Sequence, residues 1–418
     1  MVHSVILLYY AQAKNERGES MDFNFNEAID RAATVSIKWS PELRREMYGE
    51  DGVIPMGIAD MDLKTAPCVA EAIQRRAAHE TYGYGYASRE YLDACAGWQR
   101  ERHGWEVKPE WICYTPGVNM ALVCAVEMHT SPGERVIIQS PVYYPYYDYV
   151  RGTGRKIAYN PLVERGGRWE MDFAALEALA REPDVRLMIL CSPHNPVGRA
   201  WTREELERVG RICIDNGVML AVDEIHADLV LPPNRHVPFA SISEEFARSC
   251  IVCTSPSKTF NLAGLLVSDI IIPDDGIRAA FEAKMQPYYL WPGTFGTVAQ
   301  IAAYTRGAPW LDALLEFLAG NARHIEEFIA ARMPCVRFRA PEATYLGWLD
   351  FRACGMGPEE LWDFMLREAR VATDNGPMFG PNGEGDGFQR LNFACPRQQL
   401  DAALERIASA LERRGLAK

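Results

Sequence analysis

The stretch Ser255-Pro-Ser-Lys-Thr-Phe-Asn-Leu-Ala-Gly264 follows an apolar run, Ile251-Val-Cys-Thr254, that predicts the end of a buried strand. It puts Lys258 where a strand gives way to a turn, with the hydroxyls of Ser255 and Ser257 on either side to hold a phosphate. An amine in these surroundings suits a lysine that binds an aldehyde cofactor covalently, which indicates pyridoxal 5'-phosphate. A lysine after a serine is more often a solvated surface residue, so this prediction depends on two further stretches.

Two other apolar runs end in polar residues that such a cofactor needs. The run from Leu187 to Cys191 leads into a proline-rich turn that presents Asn195, and the run from Val218 ends at Asp223. Asn195 can donate to the cofactor's phenolic oxygen, and Asp223 can pair with the pyridine nitrogen, which keeps the ring an electron sink. Taken singly, Asn195 could shape a turn and Asp223 could cap a helix. Asn, Asp and Lys in this order, each after an apolar strand, are hard to obtain by chance.

Strands and helices are predicted to alternate along the middle of the chain. Gly117 to about Thr130 is an apolar helical stretch entered through a glycine, residues 135–139 predict a strand, and residues 143–150 begin the next helix. This rhythm is typical of an α/β domain. Free N–H groups at a helix start suit a phosphate, so Gly117 and Val118 are phosphate-binding candidates.

From about Phe23 to Arg397 the chain resembles the class I/II, fold type I aminotransferase superfamily, and in particular its cystathionine β-lyase-like carbon–sulfur lyase branch. The stretches that carry the resemblance are FNFNEAIDRAATVSIKW at 23–39, PMGIADMD at 55–62, SPHNPVGRAWTREEL at 192–206, DEIHADLV at 223–230, SPSKTFNLAGL at 255–265 and RLNFACPR at 390–397.

The resemblance implies an α/β, fold type I pyridoxal phosphate enzyme with two domains. A large cofactor-binding domain, residues 61–299, would hold a mostly parallel seven-stranded sheet between helices. A small α+β domain would be formed by both chain ends, residues 21–60 and 300–418, after an N-terminal extension of residues 1–20. The resemblance further implies a homodimer with active sites shared at the interface.

The resemblance also implies roles for three aromatic residues. Tyr143 would stack on the pyridine face, although its plain alternative is a core aromatic. His226 stands where generic aminotransferases carry a tyrosine near the cofactor phenol, and the lyase branch shares this histidine. Tyr84, in the glycine-rich loop 82–86, would reach the partner's cofactor phosphate, with Tyr86 as the alternative. Thr294 to Thr297, expected just before a helix, would also face the partner's site.

An amino-acid substrate needs its α-carboxylate fixed, and the planar fork of an arginine does this best. Arg390, expected just before a strand, aligns with the family's carboxylate arginine, with Arg397 as the alternative, and either could instead form a structural ion pair. Asn195 is a second substrate-binding candidate.

Besides His226, two positions depart from the family pattern. Leu266 replaces a phosphate-binding arginine of many relatives, so Ser255, Ser257 or Ser268 would do more of that work. Gly57 stands where the lyase branch usually has a tryptophan, and the missing indole would enlarge or reshape the substrate pocket.

Composition agrees with a two-domain enzyme of 418 residues, 48% of them hydrophobic. A net charge of -12 argues against a nucleic-acid partner. The apolar run from Val5 to Ala11 is too short to span a bilayer and lacks the flanks of a secretory signal. The 11 scattered cysteines favour reduced thiols and a cytoplasmic location. No metal is predicted, because Cys250 and Cys253 lack a second pair of ligands.

The predicted function is that of a carbon–sulfur β-lyase acting on cystathionine or another cysteine conjugate to give a thiol, pyruvate and ammonia, with Lys258 and Asp223 as the catalytic residues. The alternatives are an aminotransferase that passes an amino group from an L-amino acid to a keto acid, and a cofactor-binding protein with a regulatory role. A cis peptide is expected at Ser140-Pro141 or Asn195-Pro196.

Overall fold

The computed structural model describes residues 23–49 and 52–416, so the predicted N-terminal extension lies outside the described residues. The strands are, in chain order, β1 (Ile54–Pro55), β2 (Ile112–Thr115), β3 (Arg135–Ile138), β4 (Lys156–Tyr159), β5 (Val163–Arg165), β6 (Arg168–Glu170), β7 (Val185–Cys191), β8 (Met219–Asp223), β9 (Cys250–Thr254), β10 (Ser268–Ile271), β11 (Leu346–Asp350), β12 (Val371–Ala372), β13 (Asp374–Asn375) and β14 (Phe388–Asn392).

The α-helices are α1 (Pro41–Tyr48), α2 (Pro67–Ala77), α3 (Arg89–His103), α4 (Val118–His129), α5 (Pro145–Gly152), α6 (Phe173–Ala180), α7 (Arg203–Asp215), α8 (Glu244–Ala247), α9 (Pro256–Thr259), α10 (Asp275–Met285), α11 (Thr294–Arg306), α12 (Ala308–Arg332), α13 (Pro358–Asp363) and α14 (Arg397–Arg413). A π-helical turn, Phe364–Ala369, follows α13.

A seven-stranded sheet in the order β2-β10-β9-β8-β7-β3-β4 forms the centre of the fold. Its strands run parallel except β10, which is antiparallel to both neighbours. Strands buried on both faces need continuous apolar runs, and this explains the apolar runs Leu187–Cys191 of β7, Met219–Val222 of β8 and Cys250–Cys253 of β9. The predicted α/β class with a mostly parallel sheet is confirmed.

Alternate residues of each strand point to opposite faces, and helices cover both faces. Leu187 and Ile189 of β7 pack with residues of α4 and α5, whereas Met188 and Leu190 pack in the larger core that includes α3, α7, α11 and α12. Because β7, β8 and β9 are parallel neighbours, their carboxyl ends meet at one edge of the sheet. Ligands of open α/β sheets bind at that edge.

Both chain ends contribute to a second, smaller region. Strand β1 pairs in parallel with β12, and β11, β14 and β13 form a three-stranded antiparallel sheet beside α12 and α14. This arrangement resembles the predicted small domain, whose residue boundaries stay a prediction.

The local predictions around the sheet hold with two corrections. The helix expected from Gly117 spans Val118–His129, and residues 82–86 form a loop. Arg390, however, lies inside β14 rather than before it, because Trp348 of β11 and Asp374 of β13 pair on either side of it. Thr294 to Thr297 form the first turn of α11 rather than a segment before it.

A cis peptide is expected at Ser140-Pro141 or Asn195-Pro196, and both of these bonds are cis. No helix among residues 23–49 and 52–416 is long and apolar enough to cross a membrane.

Candidate active site

A cavity of about 190 Å³ opens at the carboxyl edge of the sheet. Its lining includes nine residues singled out from the sequence: Gly117, Val118, Tyr143, Asn195, Asp223, His226, Ser255, Ser257 and Lys258. The fold therefore brings together side chains that are more than one hundred residues apart in the chain. Arg390 does not line this cavity but contacts it through Asn195, to which its Nη1 donates at 3.0 Å.

Lys258 lies in the short helix α9, which begins directly after β9 with Ser255 as its N-cap. Its Nζ donates to the carbonyl oxygen of Ala59 at 2.7 Å. Burial, and next the charge of Arg390, lower the pKa of Lys258 to about 8, against the opposing carboxylates of Asp60 and Asp223. The amine is therefore more readily neutral, and so more nucleophilic, than a solvated lysine.

Asp223 ends β8, where its carboxylate faces the cavity. The Tyr146 hydroxyl donates to its Oδ2 at 2.5 Å, and the Ile225 N–H donates to its Oδ1 at 3.0 Å. Burial raises the pKa of Asp223 to about 6 despite these two hydrogen bonds. A cationic N–H bound beside this carboxylate would relieve the cost of burying it.

His226 follows β8 by one turn and is 3% exposed. Burial, helped by the charges of Lys258 and Arg390, lowers the pKa of His226 to about 3, so the ring is neutral. Its Nδ1 is buried and has no hydrogen-bond partner among the described residues. An unpaired buried polar atom is costly, and a ligand in the adjoining cavity would satisfy it.

Other residues that line the cavity suit a phosphate. Gly117 is the N-cap of α4, a helix of 12 residues, and open space surrounds the position that a Cβ would occupy there. The hydroxyl of Ser255 already donates to the Val267 carbonyl at 2.7 Å and accepts from the Ser257 N–H, which leaves the Ser257 side chain as the freer candidate.

Ser268, a candidate phosphate ligand, and Leu266, the departure from the family pattern, lie in different surroundings. Ser268 does not line the cavity, because its hydroxyl donates to the Thr115 carbonyl at 2.7 Å and the residue is fully buried. Leu266 does line the cavity and is 60% exposed. The sequence alternative that gave Ser268 a phosphate role is thus not supported by its position.

Arg390 is buried and has three hydrogen-bond acceptors. Its Nη1 donates to Asn195 Oδ1, while its Nη2 donates to the Gly57 carbonyl at 3.2 Å and forms a close ion pair with Asp374. Arg397, the alternative, begins α14 and does not line the cavity.

Tyr84 lies away from the cavity of its own chain. Its side chain is 97% exposed, and it lines a separate groove with Tyr82 and Trp291. Thr294 lines the same groove. This placement suits residues that serve another chain, but the structure describes one chain, so the shared site stays a prediction.

Four residues of the site were missed in the sequence. Asn119 lines the cavity one residue after Val118, Tyr146 holds Asp223, Ala59 accepts from Lys258, and Asp374 pairs with Arg390. The run of tyrosines at residues 143–149 could have drawn attention to Tyr146, which lies in α5. Ala59 and Asp374 carry no such signal, because they act through tertiary contacts.

Among the described residues, no group of three or more His, Cys, Asp or Glu side chains is arranged to hold a metal ion. Cys250 and Cys253 are both buried in the core of the sheet.

Comparison with known proteins gives a consistent result. The family described as aminotransferase class I and II matches residues 51–407. The chain is 43% identical to cystathionine β-lyase PatB of Bacillus subtilis, over 93% of this chain and 100% of that protein.

Two solved structures are similar over nearly their whole length. Cystalysin of Treponema denticola, which contains a pyridoxal 5'-phosphate cofactor, has a TM-score of 0.91 and 36% identity over 94% of this chain and 100% of its own. The pyridoxal-phosphate-bound C–S lyase of Staphylococcus hominis has a TM-score of 0.87 and 30% identity over 94% of this chain and 99% of its own.

Proposed function

Because the chain belongs to the aminotransferase class I and II family, we propose that it is a pyridoxal-phosphate-dependent carbon–sulfur β-lyase. The observation that carries the proposal is the single cavity where Lys258, Asp223 and Asn195 meet at the carboxyl edge of the sheet. The similarity to proteins named as lyases, among them one at 43% identity, favours elimination over amino transfer.

The residues present fit the cofactor. A ring nitrogen suits the buried carboxylate of Asp223, and a phenolic oxygen suits Asn195 and the unpaired Nδ1 of His226. The start of α4 and the Ser257 hydroxyl suit the phosphate. Lys258 would hold the cofactor covalently, and Tyr143 would form one wall of its pocket.

When bound, the cofactor supplies an electron-poor ring that stabilises negative charge at the substrate's Cα. The protein's own groups do the rest. With substrate bound, the Lys258 amine would be the base that removes the α-proton. Its pKa of about 8 leaves an appreciable neutral fraction near neutral pH, as a general base requires.

Arg390 would bind the substrate's α-carboxylate, with Asn195 positioned beside it by the hydrogen bond between them. The proposed substrates are cystathionine or another cysteine conjugate, whose sulfur leaves from the β-carbon. The products would be a thiol, pyruvate and ammonia.

The proposed assembly is a homodimer in the cytoplasm, with an active site shared between the two chains. The support is a group of exposed aromatic side chains that line the Tyr84 groove, namely Tyr84 at 97%, Tyr82 at 60% and Trp291 at 57% exposure. Exposed aromatic surface of this kind is typical of an interface. The 11 cysteines are all free thiols, which agrees with a reducing compartment.

Pyruvate release from L-cystathionine by the purified, cofactor-loaded protein, with no keto acid added, tests the function. Sustained turnover is expected. One stoichiometric conversion of the cofactor to its amine form, restored to turnover by a keto acid, would instead identify an aminotransferase. The Lys258→Ala variant separates both from a regulatory role, which should survive that change.

A further inference from the structure

Gly57 leaves a space that another residue fills. A Cβ built on Gly57 would lie 2.3 Å from Asp374 Oδ1 and 3.0 Å from Asp374 Cγ, so the carboxylate occupies the position where a side chain at residue 57 would begin. The missing side chain therefore does not simply enlarge the pocket. It admits a carboxylate.

The carboxylate of Asp374 pairs with Arg390. The two residues face each other across the β13–β14 ladder, and the ion pair is buried on the arginine side, where 3% of the side chain is exposed, against 18% for Asp374. A buried guanidinium without a counter-ion is unfavourable, so Asp374 stabilises Arg390 when no ligand is bound.

The atom that Asp374 contacts is the one a ligand needs. A carboxylate binds an arginine bidentately either through Nη1 and Nη2 or through Nε and Nη2, and Nη2 belongs to both arrangements. In this chain the two N–H groups of Nη2 are taken by Asp374 and by the Gly57 carbonyl. Nε, by contrast, is buried and has no hydrogen-bond partner among residues 23–49 and 52–416.

We propose that Asp374, seated in the space left by Gly57, competes with the substrate's α-carboxylate for Arg390 and so sets the affinity of this site for carboxylate ligands. The inference rests on the proposed function only in taking Arg390 as the carboxylate site. Substrate binding must displace Asp374, whose partly exposed side chain can turn toward solvent. Asp374 is thus a specificity-determining residue that touches the binding arginine.

The test uses propionate, which has the carboxylate but no amine, titrated calorimetrically into the cofactor-loaded protein. Asp374→Asn is expected to lower the dissociation constant of propionate about tenfold. Gly57→Ala should act in the same direction, because its Cβ displaces the Asp374 carboxylate. The double variant should bind propionate no tighter than Asp374→Asn alone, because both changes remove the same interaction, the ion pair between Asp374 and Arg390.

Two matched controls accompany these variants. Asp386→Asn removes the same charge from an exposed position of the same segment, and Gly357→Ala adds a Cβ where open space surrounds it. Neither should change propionate binding. Should Gly57→Ala fail to fold, because the Thr373 carbonyl carbon lies 3.1 Å from the new Cβ, Asp374→Asn and Asp374→Ala carry the test.

Unchanged or weaker propionate binding by Asp374→Asn would overturn the proposal and indicate that Asp374 only holds Arg390 in place. Normal propionate binding by Arg390→Lys would also overturn the proposal, because it would show that Arg390 does not bind the carboxylate. Absence of lyase turnover together with the expected propionate response would refute the proposed reaction and leave this inference standing. A lower KM for L-cystathionine in Asp374→Asn is the expected kinetic counterpart.

Discussion

Lys258 shows how a residue's surroundings set its chemistry. Its pKa of about 8 arises from burial and from Arg390, and the neutral amine is the form that attacks an aldehyde. Since the pKa is lowered, the neutral fraction grows as pH rises through about 8 and levels off above it. We therefore expect the rate of cofactor capture by the apoprotein to rise between pH 7 and 9 and then become flat.

Stopped-flow absorbance measurements of cofactor capture would test this pH dependence, with N-acetyl-lysine under the same conditions as the control for the cofactor's own titration. For a solvated lysine the neutral fraction would still rise about tenfold per pH unit near pH 9. A capture rate that follows the free lysine analogue would contradict the lowered pKa.

Lys258→Ala should remove the covalent hold on the cofactor and abolish turnover. Borohydride reduction followed by mass spectrometry of the denatured protein should find the cofactor's added mass in the wild type and not in the variant. Lys156→Ala, at an exposed residue that begins β4, is the matched control and should retain the added mass. Added mass in Lys258→Ala would move the covalent hold to another lysine.

Residue chemistry decides which parts of the site were predictable. Lys258, Asp223 and Asn195 could be identified because each lies at or just after the end of an apolar strand, where a polar residue has no packing role. Asp374 could not be identified, because its role depends on a contact with Arg390 and on the missing Cβ of Gly57, 317 positions away in the chain. The sequence pattern predicts that Gly57 affects the pocket. Only the tertiary structure shows that the Asp374 carboxylate occupies the space beside Gly57.

At the scale of elements, a network of ion pairs connects β6 and the start of α7 with Glu342, a residue that precedes β11. Arg199, 3% exposed, donates to Glu342 Oε2 at 2.9 Å and to both oxygens of Glu205, the residue that closes the capping box of α7. Arg168, in β6, donates to the other oxygen of Glu342 at 3.1 Å. Burial opposes the ionisation of Glu342, and the two arginines outweigh it and hold its pKa below the usual range.

Glu342→Gln should destabilise the protein by about 1–3 kcal/mol, because the buried Arg199 loses a charged acceptor. Urea unfolding at neutral pH measures this change in the free energy of unfolding. Glu316→Gln, at an exposed position of α12, removes the same charge and should have almost no effect. Equal stability of the two variants would show that the network is not stabilising.

At the scale of the whole molecule, the sequence pattern predicts the class of the sheet but not the order of its strands. Alternation of strands and helices predicts a parallel sheet, and the resemblance predicts its seven strands. The order of those strands, and the antiparallel placement of β10 between β2 and β9, follows from packing among elements far apart in the chain. The exposed aromatic side chains at Tyr82, Tyr84 and Trp291 support the proposed dimer, whose interface the sequence pattern of one chain does not predict.

Complementation between two inactive variants would test the shared active site directly. Lys258→Ala lacks the catalytic amine, and Tyr84→Ala should lack the residue proposed to reach the partner's phosphate. In a mixed dimer one site carries both defects and the other carries neither.

Equal amounts of the two chains, unfolded and refolded together, should therefore recover about one quarter of wild-type pyruvate release, because half of the random dimers are mixed and each has one intact site. The variants refolded separately and then combined without exchange are the control. Activity no greater than the sum of the separate variants would mean that Tyr84 does not serve the partner's site, and would favour Tyr86 or a site complete within one chain.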